Sequence, residues 1–569
     1  MEIRNFRAIR KVDWLPAAGI NCLIGPGDSG KSTILDAIDL CLGARRSISI
    51  CDSDFSGLDT TRPISITLTL GDLPAQLKNI DVYGDYLRAF NAATGEVEEE
   101  PRQGLETVLA LNLTITHDLE PVWMLVSERA QQQGHERSIA WKDRTELTPT
   151  RLGNYASSNL SWAKNSILNR LSEERINLGV SLARASREAR ANFGEQANAQ
   201  LTQVLQKVTA TAASLGVPLG AGAQALLDAH SLSIGEGAIS LHNAVGVPLR
   251  SLGTGSTRLL VAGLQRACAE NNAIVLVDEL EHGLEPHRLI GLLNALGAKD
   301  NPAPMQVFAT THSPVAVREL NGNQIFVVRS NAESHLVQQV GIADDVQSTV
   351  RADPEAFLAR TVILCEGASE VGFIRGMDQF YASRGYLSLL AGGVAYANVG
   401  GGDPDRCFVR GLALLKLGYR VMVFIDGDKP PTTQTVAAFT TAGGMYVMWD
   451  QGRALEDELF WSLDDGAIHA LLSRAVELIE QDTVNAHIQS TSQGRTTFDA
   501  VFNEGLTDGY SQTARMLLGA ASRQRNKGWF KSVSRFEGVA CDIVGPNLAG
   551  ASPEFQAKVD HLFRWSHGT

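Results

Sequence analysis

The first residues able to do chemistry form one short stretch, Gly25-Pro26-Gly27-Asp28-Ser29-Gly30-Lys31-Ser32-Thr33. Its spacing, G-x-x-x-x-G-K-S, is that of a phosphate-binding loop. Gly25 and Gly30 let the backbone curl so that successive N–H groups face one concavity, and the helix that begins there adds the positive end of its dipole. Lys31 can reach outer phosphates, and the Ser32 hydroxyl can ligate magnesium. Gly25, Gly27, Gly30, Lys31, Ser32 and Thr33 are therefore candidate nucleotide ligands. A second glycine-rich turn, Gly253-Thr254-Gly255-Ser256, also opens a helix and is phosphate-friendly, though weak alone. Asp278 and Glu279 follow the apolar run Ala273–Val277. Asp278 is placed to hold a magnesium shell, and Glu279 to polarise a water aimed at a terminal phosphate. His312 closes the segment Gln306-Val307-Phe308-Ala309-Thr310-Thr311-His312, which reads as another buried strand ending in polar groups.

A second group of acids lies further on. Thr361–Cys365 ends in Glu366-Gly367-Ala368-Ser369-Glu370, and Tyr419–Ile425 ends in Asp426-Gly427-Asp428. Glu370 stands one helical turn beyond Glu366, so both can face one point. Clustered carboxylates repel one another unless a cation neutralises them. Hard oxygen donors suit magnesium or manganese, and two such ions can clamp the attacking and leaving oxygens of a phosphodiester. A single acid after a strand is commonly just solvated; these on two strand ends call for a metal.

The elements that must position these residues are legible from periodicity. Glu2–Ile9 and Ile64–Leu70 alternate with period two and read as strands, as do residues 106–128. Residues 159–213 are rich in Ala, Leu, Gln, Glu and Arg; Leu168, Leu171, Ile176 and Leu178, then Leu201, Val204, Leu205 and Val208, keep helical spacing. We expect a helical hairpin or arm inserted into the first unit. Short strands are expected after Gly216-Val217-Pro218. From about Phe357 strand and helix alternate, which predicts a mostly parallel sheet covered on both faces, with its binding crevice at the carboxyl ends of the strands.

A chain of 569 residues should hold more than one domain. Its net charge of −13 argues against a generally basic nucleic-acid coat but leaves room for a local basic groove. No apolar run is long enough to span a bilayer, no secretory leader is evident, and seven scattered cysteines without a C-x-x-C pair indicate neither disulfides nor zinc. We expect a cytoplasmic protein without membrane partners. Arg523, Arg525, Lys527, Lys531 and Arg535 make a local basic run around Trp529 and Phe530. Such a run binds a nucleic-acid strand or is a solvated face over a buried aromatic pair.

In their order, the phosphate loop, the glycine-rich turn, Asp278-Glu279 and His312 resemble the ABC-type ATPase heads of the SMC/RecF group. By that resemblance Gly253, Gly255 and Ser256 stand for the signature motif, Asp278 and Glu279 for Walker B, His312 for the switch histidine, and Glu281–His287 for the D-loop. In such heads one protomer's signature completes another's ATP site, which implies a homodimer or higher oligomer. The signature departs from the family's pattern, with Gly253 where Ser is common and Ser256 where Glu is common. The E…D-x-D pattern of Glu366, Asp426 and Asp428 resembles a TOPRIM domain. An ABC head followed by TOPRIM resembles the OLD (overcoming lysogenization defect) nucleases, which include the Gabija-type subunit. This implies a metal-dependent DNA endonuclease coupled to an ATPase, with Mg2+ or Mn2+ at the TOPRIM site and ATP with Mg2+ at the head. It also implies a bacterial anti-phage role beside a partner such as a helicase or a retron. The family's third acidic motif falls on Glu456, with Glu458 next, and its C-terminal lysine on Lys531, with Lys527 in reserve. The expected fold is α/β. Residues 1–155 and 216–350 form the ATPase head and 156–215 a helical, dimerising insertion. Residues 355–569 form a TOPRIM sheet with a helical extension. The alternative is a nucleotide-switched SMC/RecF-like repair or structural ATPase whose second domain binds DNA without cutting it.

Overall fold

The computed structural model describes residues 1–44, 48–153, 159–160, 166–168, 179–215, 217–225, 241–267, 274–331, 333–524 and 527–568. The first sheet contains β1 (Glu2–Phe6), β2 (Ile9–Asp13), β3 (Ile20–Ile24), β4 (Ile64–Leu70), β5 (Leu87–Asn91), β6 (Glu96–Glu98) and β7 (Glu106–Ile115). It continues with β8 (Pro121–Val126), β9 (Thr150–Leu152), β10 (Ile274–Val277), β11 (Gln306–Thr310), β12 (Ile325–Ser330) and β13 (His335–Gln339). Its order is β6-β5-β7-β4-β1-β2-β13-β12-β3-β11-β10-β9, with β8 beside β7. The segment β12-β3-β11-β10-β9 is parallel. The other end is an antiparallel wing of hairpins and long meanders. The split follows burial. All five residues of β3 are buried, as a strand covered on both faces requires, whereas β4 alternates.

The expectation of one strand over Glu2–Ile9 is corrected. Asn5 and Arg7 have φ of 53° and 48°, and the chain reverses into the β1–β2 hairpin with Phe6 opposite Ile9. Alternation continues on both sides of the turn, so periodicity alone does not reveal it.

Helix α1 (Lys31–Leu42) follows β3. In the insertion, α2 (Gly179–Gln200) and α3 (Thr202–Ser214) are joined end to end. Leu201 donates to Ala197 O and Leu205 to Leu201 O, so the described part is a bent arm and these two helices do not fold back as a hairpin. Leu171, Ile176 and Leu178 lie outside the described residues. Of the stretch where short strands are expected after Pro218, residues 226–240 lie outside the described residues; in the described parts an isolated bridge pairs His242 with Pro248. Helices α4 (Thr254–Ala267) and α5 (Pro286–Ala295) flank β10 in sequence.

The second sheet is wholly parallel: β14 (Thr361–Cys365), β15 (Val394–Asn398), β16 (Arg420–Ile425) and β17 (Met445–Met448), ordered β15-β14-β16-β17. Helices α6 (Ala368–Ser383) and α7 (Asp405–Lys416) make the first crossovers. The C-terminal region is helical and includes α8 (Leu455–Ser462), α9 (Gln512–Ser522), α10 (Val533–Val539) and α11 (Pro553–His567). Among the described residues no helix is long and apolar enough to cross a membrane.

Candidate functional sites

At the head, the phosphate loop is seated by its neighbours. Gly25 has φ 146°, and a Cβ there would meet Val328 O at 2.5 Å, so only glycine fits. Lys31 is buried, and its ammonium donates to Pro26 O at 2.7 Å and Gly25 O at 3.0 Å. Burial holds its pKa below the usual lysine value, against the pull of Asp278 and Asp28. Ser32 Oγ donates to Asp278 Oδ1 at 3.0 Å, which joins the loop to the end of β10. Thr310 Oγ1, at the end of β11, donates to the same oxygen at 2.6 Å and accepts the Glu279 N–H at 2.8 Å. Glu279 has φ 49° and an exposed side chain, 3.7 Å from His282 Nδ1. His312 is exposed, with its N–H held by Glu281 Oε1 at 2.8 Å. Gly27 is exposed on the loop, and Thr33 lies in the first turn of α1.

The glycine-rich turn reaches the same region from α4. Gly255 packs so closely on Gly283 O that a Cβ would collide with it, and Ser256 Oγ accepts from Arg288 Nη1 at 3.1 Å. Gly253 precedes the helix. Arg258, missed by sequence reasoning, ties these parts together. It is buried, and its guanidinium donates to the carbonyls of His282 (2.7 Å), Glu279 (3.0 Å) and Asp278 (3.1 Å). Its sequence signal is weak: an arginine directly before the apolar stretch Leu259-Leu260-Val261-Ala262. Arg151, also missed, pairs with Asp36 at 2.7 Å and Asp39 at 3.2 Å on α1 and lies 3.9 Å from Asp278.

In the second sheet β14 lies between β15 and β16, so successive crossovers leave in opposite directions at its carboxyl end. That is the switch point where open α/β sheets bind ligands. Glu366 accepts the Asp426 N–H at 3.2 Å, Glu370 the Gly367 N–H at 2.7 Å, and Asp426 the Leu455 N–H at 2.8 Å. Ser369 Oγ lies 3.4 Å from Glu456 Oε1. Burial, then the Glu456 charge, pushes Glu370 up to about 8. Burial together with Glu370, Glu456 and Glu366 drives Asp426 well above the usual carboxylate range. Burial also raises Glu366 and Glu456. Glu366, Glu370, Asp426 and Glu456 thus come together from the ends of β14 and β16 and from α6 and α8. As the side chains stand, no three acids among the described residues close on one point suited to a metal. Three of these four are engaged with backbone donors. The donor chemistry, buried carboxylates raising one another's pKa, fits a hard divalent cation.

The remaining candidates separate. Asp428 is exposed, 3.7 Å from Arg523, which pairs with Asp457 at 3.0 Å. Glu458 turns to Ser462 Oγ (2.8 Å) and Arg453 (3.4 Å), leaving Glu456 to the cluster. Lys531 is exposed and close enough for its charge to act on Glu456; Lys527 acts instead on His487. Trp529 and Phe530 are fully buried, and Trp529 Nε1 donates to His487 Nδ1 at 3.1 Å. Stacking of bases on this pair is thereby ruled out: it is the buried pair under a charged face. Arg525 lies outside the described residues.

Two family models match the first unit. Residues 1–201 match a family model described as "AAA domain", and residues 135–318 one described as "AAA domain, putative AbiEii toxin, Type IV TA system". The "OLD nuclease" of Thermus scotoductus (strain ATCC 700910 / SA-01) is 43% identical over 72 residues, which is 12% of this chain and 13% of that protein. Among solved structures, the Smc head domain of Pyrococcus furiosus with an extended coiled coil, bound to the C-terminal domain of ScpA, aligns at 13% identity and TM-score 0.31, covering 59% of this chain and 94% of that one. The SMC head domain from Thermotoga maritima aligns at 11% identity and TM-score 0.28, covering 60% and 98%. Stu0660 of Streptococcus thermophilus aligns at 8% and 0.30, covering 63% and 85%. The two family models together span the phosphate loop, the glycine-rich turn, Asp278-Glu279 and His312, and the N-terminal unit is an ATPase domain of the AAA type.

Proposed function

We propose that the chain is an ATP-regulated, divalent-metal-dependent DNA endonuclease of the OLD type, with a TOPRIM second unit. The observation that carries this reading is the gathering of Glu366, Glu370, Asp426 and Glu456, raised in pKa by burial and by one another, at the switch point of a parallel sheet. Glu366, Asp426 and Glu456 would hold Mg2+ or Mn2+, with Glu370 behind them and Asp428 at the rim. Such ions supply charge stabilisation for the attacking and leaving oxygens of a phosphodiester. Lys531, beside Glu456, offers a mobile cation to charge developing on the phosphorus oxygens. At the head, Lys31, Ser32, Thr310 and Asp278 hold the nucleotide and its Mg2+, Glu279 orients water, and the turn at Gly253–Ser256 serves a second protomer's site. In this reading the substrate is DNA, the assembly a homodimer or larger, and the biological role anti-phage defence.

One observation favours a second reading, a nucleotide-switched ATPase that binds DNA without cutting it. Glu366, Glu370 and Asp426 are each satisfied by a backbone N–H, as structural carboxylates are. Plasmid nicking separates the two. With Mg2+ or Mn2+, with and without ATP, wild type should nick supercoiled DNA. Glu366→Ala should lose at least ~100-fold, the scale of removing one electrostatic group from such a site. Lys31→Ala should lose ATP binding. Purified protein that cuts under no nucleotide condition refutes the endonuclease.

A further inference from the structure

At the β15 edge of the second sheet, the loop after the strand is bare backbone. Gly400, Gly401 and Gly402 have φ of 92°, 73° and 101°, and a Cβ on any of them would meet nothing within 4 Å. The left-handed backbone calls for glycine, while the space in front of it stays open. Gly401 N–H donates to Glu366 O at 2.6 Å, which fixes the loop against the acid cluster, and Gly400 N–H to Asn398 Oδ1 at 2.8 Å. Among the described residues no hydrogen bond engages the Gly402 N–H. Two exposed cations rest on this loop: Lys429 Nζ at 3.3 Å from Gly402 O, and Arg406 Nη1 at 3.5 Å from Gly401 O. Asp405 locks the loop to the one after β16 by accepting the N–H (2.7 Å) and the hydroxyl of Thr432. Asp403, whose carboxylate accepts the Asp405 N–H at 3.0 Å, and Asp405 itself are opposing charges beside the loop.

A polyanion led to a cluster of carboxylates needs cations under its neighbouring phosphates, since phosphate contacts fix a strand's position. We propose that Lys429, Arg406 and the Gly400–Gly402 backbone form a seat for the DNA phosphate next to the one attacked, and so align the scissile bond over Glu366 and Asp426. The seat rests on the endonuclease reading and adds to it the element that registers the strand. Long cationic side chains supply the charge. The absence of side chains at the three glycines lets the sugar-phosphate chain approach the backbone.

The test is a fluorescence-polarisation titration of a short labelled duplex with Mg2+. Its parent protein is Glu366→Gln, so that cutting does not interfere, and salt runs from about 50 to 200 mM. Lys429→Ala should weaken binding equally for unrelated sequences and reduce the slope of log K against log salt; the Lys429→Ala/Arg406→Ala double variant, which empties the seat of its one phosphate, should reduce it by about 0.9. Lys429→Arg should restore the parent slope. Both side chains are exposed, and thermal unfolding verifies that the variants fold. A slope unchanged in the double variant overturns the seat. Plasmid nicking by otherwise native protein tells the two failures apart. Nicking with an unchanged slope removes the seat alone, whereas neither nicking nor binding removes the endonuclease and the seat with it.

Discussion

Glu370 offers the sharpest test of the acid cluster. It is 3% exposed, and its carboxyl is pushed from 4.5 up to about 8 by burial and by Glu456. The folded protein therefore holds a proton that the unfolded chain has released once pH passes 4.5. The stabilisation is complete below that value and is lost as pH rises through about 8. At about 1.4 kcal/mol per unit, this proton accounts for a loss on the order of 4 kcal/mol between pH 4.5 and 8, shared with its acidic neighbours, and Asp426, raised by the same neighbours, shifts in the same direction. For a unit of this size that corresponds to a fall in Tm of about 8–16 °C. The assay is scanning calorimetry in EDTA across this range. Glu370→Gln, which keeps the shape and removes the charge, should flatten the profile and raise the Tm of the metal-free protein at pH 8. Mg2+ at pH 8 should raise the wild-type Tm by mass action and the variant's by less. A metal-free profile that is flat, or a Glu370→Gln protein less stable than wild type at pH 8, refutes the buried-cluster argument.

Two further outcomes follow from packing. Arg258→Met removes three charge-assisted hydrogen bonds and leaves the carbonyls of Asp278, Glu279 and His282 without the buried guanidinium that joins them. It should cost the head about 3 kcal/mol in denaturant unfolding and abolish ATP hydrolysis even where the protein stays folded; a loss under about 0.5 kcal/mol contradicts the role. Trp529→Ala should cost about 3–5 kcal/mol, whereas Trp529→Phe should leave DNA affinity at its wild-type value, because the ring is sealed inside; a specific loss of DNA binding in Trp529→Phe would restore the stacking interpretation.

What the sequence reveals follows from the range of each interaction. The phosphate loop and the acids at the ends of β14 and β16 were legible because apolar run, turn and helix are local. The position of the strand then decides where its last residue points. The choice between Glu456 and Glu458 was half legible. Two residues apart on a helix they diverge, so only one faces the cluster. Which one depends on Arg453 and Ser462. Arg258, Thr310 and Arg151 were illegible because their partners are carbonyls and carboxylates on other elements. The burial of Trp529 depends on His487, 42 residues away, and neighbouring arginines say nothing of that.

The regulatory half of the proposal requires that the head and the acid cluster share structure, because a flexible linker transmits no displacement. They do share it. Phe357, Val362, Leu364 and Val421 lie in one continuous apolar cluster with Val277, Val307 and Val327. Strand β12 touches both sites' supports. Its Val328 carbonyl backs Gly25 of the phosphate loop. The next residue, Arg329, lies over the Tyr419 ring at 4.1 Å and 3.4 Å from Ala359 O. Tyr419, one residue before β16, in turn donates to Phe357 O at 2.6 Å, and Asp426 directly follows that strand. The path from nucleotide to acids is thus one strand, one cation–aromatic contact and one strand more. Each step is a packed contact, with half-buried Arg329 at its middle, so the proposed coupling is tested at that residue.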